Sequence, residues 1–178
     1  MDVRKNKRVN PQKMAVKYFF ENCDPPGFCI EQFEGKGRGV VTVQERKCGD
    51  FLLNYVGDLV SENVGSIRED LLSSGFRFFF QWKGKKFCID ASDEPVDGPI
   101  LGRLINHGDK KQINSKMKVL ETDDGKPFLA LFATKDLKKH QELLYDYGLD
   151  SYPWEKNIIH PWLKLASMKD HPCPRILV

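Results

Sequence analysis

At 178 residues, 40% hydrophobic and 30% charged, the chain has the make-up of an ordinary soluble globule, one domain with a real core and room for a short arm. A net charge of +3 is too small to argue for nucleic acid by itself, and no apolar run is long enough for a signal peptide or a membrane span. Cys23, Cys29, Cys48, Cys88 and Cys173 are odd in number and scattered, with no close metal-ligand spacing, which predicts reduced thiols in a cytosolic or nuclear protein and no metal.

Met1 to Lys17 sets Arg4, Lys5, Lys7, Arg8, Lys13 and Lys17 against Asp2 alone. This is either a solvated terminus or a basic arm that touches nucleic acid or serves as a nuclear signal. Val9 to Asn22 predicts a helix with Met14, Ala15, Tyr18 and Phe19 on one face, and Pro25-Pro26-Gly27 breaks it. Phe28 to Phe33 is a strand. Gly35-Lys36-Gly37-Arg38-Gly39 is a tight connection into the β-branched strand Val40 to Val43. A phosphate-binding loop would need Gly-Lys-Ser/Thr entering a helix, and this run enters a strand. A plain hairpin with positive-φ glycines is the alternative.

Phe51 to Gly57 is a further strand. Ser61 to Ser73 looks helical, with Val64, Ile67, Leu71 and Leu72 near helical spacing and Ser61 or Ser66 as cap. Phe76 to Trp82 and Phe87 to Ala91 form a hairpin around Lys83 to Lys86, and Asp93, Glu94 and Asp97 lie in the loop before Leu101. Met117 to Thr122 and Pro127 to Ala133 flank an Asp123-Asp124-Gly125-Lys126 turn. Lys135 to Glu142 connects to a last short segment, and Trp154 to Leu165 is an amphipathic C-terminal helical piece. Many short strands, Gly-rich turns and few helices make the fold mainly β with minor α.

Two segments place polar groups directly after apolar anchors. Leu104-Ile105 lead into Asn106-His107-Gly108, and Leu143-Leu144 lead into Tyr145-Asp146-Tyr147-Gly148. Polar groups on a rigid apolar support suit a preorganised site. Singly, the first is an ordinary turn and the second an ordinary strand end.

Together, in this order and with the Gly35 to Gly39 run upstream, they resemble the SET-domain protein lysine methyltransferases, closest to the branch that monomethylates the histone four tail. The likeness runs from about Gly35 to Leu165. It implies a SET fold of several small sheets with a pseudoknot and a C-terminal helix, and S-adenosylmethionine (SAM) as cofactor. It divides the chain into a basic arm and flanking helix and strand over 1–34, the SET domain over 35–149 with an inserted helical part at about 61–75, and a C-terminal flank over 150–178. By the same resemblance Tyr147 matches the tyrosine essential for transfer, Tyr145 the one that restricts the product to monomethyl, and Tyr55 another channel tyrosine. Lys36, Gly37 and Arg38 fall on the run whose backbone approaches SAM. Asn106 and His107 match the SAM-binding pair, Phe76 the position of a further channel tyrosine next to SAM, and Trp162 an aromatic that closes over the adenine. Arg103 is expected to brace the Asn106 loop.

The implied chemistry needs a neutral lysine amine in line with a methyl group, and no nucleophile, carboxylate pair or triad. Cys88 beside Asp90 reads as a buried, inert thiol. The family's zinc-binding cysteines after Tyr-x-Gly have no counterpart beyond Cys173. Other departures are Phe76 for tyrosine, Gly108 for serine, and His140-Gln141 for Gly-Glu. The expected partners are a histone or other basic protein, within a nucleosome or free. Asp93, Glu94 and Asp97 serve as peptide contacts or as solvated loop charges. A monomer in the nucleus, with no membrane, completes the expectation. The competing reading is a diverged SET module that binds chromatin or protein partners without turnover.

Overall fold

The computed structural model describes residues 9–95 and 100–148. In chain order its elements are α1 (Pro11–Phe20), β1 (Phe28–Phe33), β2 (Gly37–Thr42), β3 (Phe51–Tyr55), β4 (Asp58–Ser61), α2 (Glu62–Leu71), β5 (Arg77–Trp82) and β6 (Lys85–Asp90), then a 3-10 turn (Leu101–Leu104). After it come β7 (Asn106–His107), β8 (Ser115–Glu121), β9 (Pro127–Ala133), β10 (Gln141–Glu142) and β11 (Leu144–Tyr145).

The Asn10 side chain caps α1 by accepting from the Gln12 and Lys13 amides, and proline occupies the first turn, where its missing N–H costs nothing. The helix lays Ala15 and its neighbours on Phe51, Phe128 and Phe132, with the Phe19 and Phe128 rings stacked at 4.4 Å. Asn54 Nδ2 donates to the Ala15 carbonyl at 3.0 Å, tying α1 to β3. That face is the one the spacing predicts.

Three small sheets have the orders β1-β2-β10, β3-β9-β8 and β4-β6-β5. β1 spans the predicted residues, and its hairpin with β2 pairs Phe28 with Thr42 and Phe33 with Gly37. The turn is therefore residues 34–36, and Gly37 and Gly39 lie within the strand, not in the connection. The predicted strand Phe51 to Gly57 is corrected too. It ends at Tyr55, and Asp58–Ser61 forms a strand of its own in another sheet. Gly57 makes the crossing: a Cβ there would run into the Asp90 carbonyl, so only glycine lets the chain pass so close to β6.

Ser61, not Ser66, caps α2 through Val64 N. Gly65 sits against Cys88, where a Cβ would come within 2.6 Å of the Cys88 Cβ, so this helix docks through a glycine. Val64, Ile67 and Leu71 follow helical spacing yet face outward, with Ile67 59% and Leu71 81% exposed.

β7 and β11 pair in parallel, Asn106 with Leu144 and Tyr145 with His107. The Tyr145 carbonyl accepts from Gly108 N at 3.2 Å. The Leu144 carbonyl accepts from Asn114 N at 3.1 Å, and Leu144 N donates to Asn114 Oδ1 at 2.9 Å. Residues 144 and 145 are thus held by 106–108 on one side and by Asn114 on the other: the late strand threads the loop that joins them. At Gly108, a Cβ would lie 2.8 Å from the Leu144 Cβ, so glycine suits the tight thread. A fully buried cluster of Val40, Leu52, Leu53, Leu129, Leu131 and Leu143 supports this crossing.

Candidate active site

The Asn106-His107 segment is aimed by its lead-in. Asp24 accepts from Leu101 N at 2.6 Å and fixes the start of the 3-10 turn. Gly102 packs on β3 where a Cβ would strike the Asn54 carbonyl. Arg103, 6% exposed, donates from Nε to the Ala91 carbonyl at 2.7 Å and from Nη2 to the Ser92 carbonyl at 3.1 Å. Its guanidinium lies 3.9 Å from the Phe76 ring centroid. Arg103 is the predicted brace, and it also carries Phe76.

Asn106 Nδ2 donates to the Arg38 carbonyl at 3.3 Å and to Glu142 Oε1 at 3.1 Å. Lys36 Nζ reaches Glu142 Oε2 at 3.3 Å. Arg38 and Arg103 both pair with Glu94, the latter at 3.0 Å. Arg38 and Arg103 outweigh burial and hold the Glu94 carboxyl below its ordinary range. Lys36, Gly37, Arg38 and Asn106 therefore converge. Gly39 permits the contact, since a Cβ there would lie 2.6 Å from Asn106 Nδ2 and 2.7 Å from the Phe33 ring. Gly37, at φ +78°, has open space where its Cβ would be.

Against this cradle stands a chain of aromatic rings. Tyr55 lies 6.1 Å from Phe78, Phe78 6.2 Å from Tyr145, Tyr145 4.8 Å from Tyr147, and Tyr147 5.4 Å from His107. Tyr55 Oη donates to the Phe76 carbonyl at 2.9 Å, and Tyr147 Oη donates to the Ile105 carbonyl at 3.0 Å. The Tyr147 amide donates to His107 Nδ1 at 3.3 Å, locking the two predicted motifs together. Burial raises the pKa of Tyr55, Tyr145 and Tyr147 well above the phenolic value, reinforced at Tyr55 and Tyr145 by neighbouring tyrosines. All three hydroxyls stay protonated at neutral pH.

Among the residues the sequence expectation named, Tyr55, Tyr145, Tyr147, Asn106, His107, Lys36, Gly37 and Arg38 come together. Phe76 meets Tyr55 through its carbonyl and Arg103 through its ring. Trp162 and Asp97 lie outside the described residues. Glu94 is bonded to two arginines instead of standing as a bare loop charge. Phe78, Glu142 and Asp24 escaped the sequence reading. Phe78 alternates with Phe76 in one aromatic run, and nothing local says which ring joins Tyr55 to Tyr145.

Small sheets, a strand threaded through the Asn106 loop, and a tyrosine cluster beside it are the architecture of a SET domain. Residues 37–148 match the family model for the SET domain, and the chain belongs to that family. It is 36% identical over 160 residues to N-lysine methyltransferase KMT5A-A of Danio rerio, across 86% of this chain and 44% of the relative. It is 38% identical over 148 residues to histone-lysine N-methyltransferase Set8 of Drosophila melanogaster, across 80% of this chain and 20% of that protein. The chain thus spans less than half the length of either relative. The crystal structure of CpSET8 from Cryptosporidium superposes with a TM-score of 0.64 and 28% identity over 85% of this chain and 70% of that one.

Proposed function

We propose that the chain is a SAM-dependent protein-lysine N-methyltransferase that adds one methyl group to a lysine of a histone tail. The observation that carries this reading is the lock between Tyr147 and His107, which sets the tyrosine cluster beside the Asn106 cradle. The similarity to lysine methyltransferases supports it.

The cradle suits the cofactor. Backbone around Gly37 is open to approach, Lys36 stands beside it as a cation for a carboxylate-bearing ligand, and the Asn106 amide, held by the Arg38 carbonyl and Glu142, shapes the wall. Lys36, Gly37, Arg38, Asn106 and His107 would hold SAM, with Phe76 and Trp162 as further contacts. When bound, SAM supplies a methyl group activated on a sulfonium.

The protein's part is positioning. A free lysine ammonium has a pKa near about 10.4 and is charged at neutral pH. Enclosure by Tyr55, Phe78 and Tyr145 disfavours the charged form and yields the neutral amine. Protonated tyrosine hydroxyls then orient the amine without forming a covalent bond. Tyr147, held by the Ile105 carbonyl, is the residue nearest both motifs, and Tyr145 limits the room for a second methyl. We place the protein in the nucleus, as a monomer acting on histone within a nucleosome or free, with the basic arm from Met1 to Lys17 as a DNA contact; residues 1–8 of that arm lie outside the described residues.

Incubation with labelled SAM and core histones or nucleosomes, read by mass spectrometry, tests the reading. Monomethyl-lysine is expected, and Tyr147→Phe should cut it by about 100-fold or more. SAM binding without transfer to histones or to a wider set of proteins would overturn it in favour of the non-catalytic chromatin-binding module.

A further inference from the structure

Charge is distributed unevenly over the fold. Three segments, 45–50, 109–116 and 134–140, together carry eight Lys and Arg against four Asp and Glu, a net of +4 where the whole chain has +3. They are neighbours in space. Arg46 and Leu137 exchange backbone hydrogen bonds at 3.0 and 2.8 Å. Thr134 N donates to the Asn114 carbonyl at 2.9 Å, and Lys135 Nζ reaches the Lys111 carbonyl at 3.2 Å.

Three of the four acids in these segments, all but Glu45, are held by hydrogen bonds or an ion pair. Asp109 accepts from the Lys111 and Gln112 amides, Asp50 accepts from Lys47 N, and Asp136 pairs with Lys47 and accepts from Cys48 N. Of the eight cations, Lys47 pairs with Asp136 and Arg46 donates to the Pro26 carbonyl, whereas the other six have no carboxylate partner among the described residues. Lys110, Lys111, Lys116, Lys135, Lys138 and Lys139 are all exposed and form no ion pair among the described residues. Elsewhere Lys17, Lys36, Lys83, Lys86 and Lys126 each have a carboxylate partner, and among the described residues Lys13, Lys85 and Lys118 do not.

We infer that the face formed by the 109–116 loop and the 134–140 loop docks on the phosphate backbone of double-stranded DNA. Ammonium groups on long stems are point charges that suit phosphates without reading sequence. The two loops expose no large apolar side chain to anchor a protein partner. None of these lysines is among the residues assigned to the Tyr147 site. The inference rests on the histone reading for its biological sense, because a histone substrate lies on DNA, but its test does not.

The full chain is titrated with a fluorescent DNA duplex of unrelated sequence at several salt concentrations. Comparators are Lys110→Gln/Lys111→Gln, Lys138→Gln/Lys139→Gln, and the control pair Lys83→Gln/Lys86→Gln. Each pair in the basic loops should weaken binding and reduce the magnitude of the slope of log K against log salt by about 1.8, since each neutralised phosphate contributes about 0.9. SAM affinity and transfer to a free histone peptide should not change, so loss of methylation and loss of DNA binding are read separately. Equal slopes in wild type and in both loop pairs would overturn the inference, as would an equal effect from the control pair. Tighter binding to an acidic polypeptide than to duplex, lost in the loop variants, would overturn it in favour of a protein partner.

Discussion

Asn106 Nδ2 donates to Glu142 Oε1 at 3.1 Å, and Lys36 Nζ stands 3.3 Å from the other oxygen of the same carboxylate. Glu142 therefore joins the glycine run, the loop that is threaded and the strand that threads it. Its backbone carbonyl adds a bond from Asn114 Nδ2 at 2.7 Å. An amide left without this acceptor would be free to turn away from the position proposed for the cofactor.

Glu142 is accordingly predicted to be a positioning residue for SAM. Glu142→Ala should weaken SAM affinity about tenfold, since hydrogen bonds to charged groups contribute about 1.5–3 kcal/mol and this one is partly exposed. Glu142→Gln keeps an acceptor for Asn106 and loses only the Lys36 ion pair, so it should cost no more than about threefold. Isothermal titration measures both, and an unchanged melting temperature in the glutamine variant separates positioning from folding. Equal affinities in wild type and Glu142→Ala would dispose of the role.

Gly39 offers a steric test of the same cradle. Its missing Cβ is what lets Asn106 and the Phe33 ring approach. Gly39→Ala should displace Asn106 and lower SAM affinity by about tenfold or more, with a stability loss of about 1–3 kcal/mol from overpacking. Thermal denaturation with and without SAM gives both quantities. A variant that melts lower yet binds SAM normally would show that Asn106 is not placed by this contact.

Tyr145 is 4% exposed and touches both Phe78 and Tyr147. Removing its hydroxyl empties space next to the proposed amine position while keeping the ring. Tyr145→Phe should shift the product from monomethyl towards dimethyl lysine, with stability changed by no more than about 1 kcal/mol. Time-resolved mass spectrometry of a histone peptide distinguishes the states. A purely monomethylated product from the variant would assign product restriction to another wall.

Local features of the fold were legible where the signal was local. The extent of the Phe28 to Phe33 strand, the apolar face of α1 and the turn before Pro127 each follow from neighbours a few residues apart, although Ile30 of that strand stands 37% exposed. β4 was not legible, because Asp58–Ser61 continues the preceding strand in pattern and only Gly57's contact with β6 sends it to another sheet. The pairing of Glu142 with Asn106 joins residues 36 apart and leaves no periodicity to find. The threaded crossing was expected only through family resemblance, as threading is rare among folds. α2 shows the converse limit: helical spacing of Val64, Ile67 and Leu71 is real, but the docked side is Gly65.

Asp24 links pH to the placement of the site. Burial pushes its carboxyl up to about 6 from an ordinary 3.8, against the lowering effect of the hydrogen bond from Leu101 N. The folded state thus holds this proton more tightly than the unfolded chain does. Its stabilising effect is complete below pH 3.8 and is lost as pH rises through about 6. Asp24→Asn keeps an oxygen acceptor for Leu101 N and carries no charge to desolvate. At pH 7.5 the variant should be more stable than wild type by on the order of 1–2 kcal/mol, the full linkage being reduced by partial exposure. Near pH 4 the two should converge. Urea denaturation across pH 4 to 8 measures the difference, and Asp90, held down to about 2 in the folded state, is common to both proteins and cancels from the comparison. A variant less stable at pH 7.5 would mean that the charged Asp24–Leu101 hydrogen bond outweighs the cost of burial, and that the ionised carboxylate is what fixes the turn before Asn106.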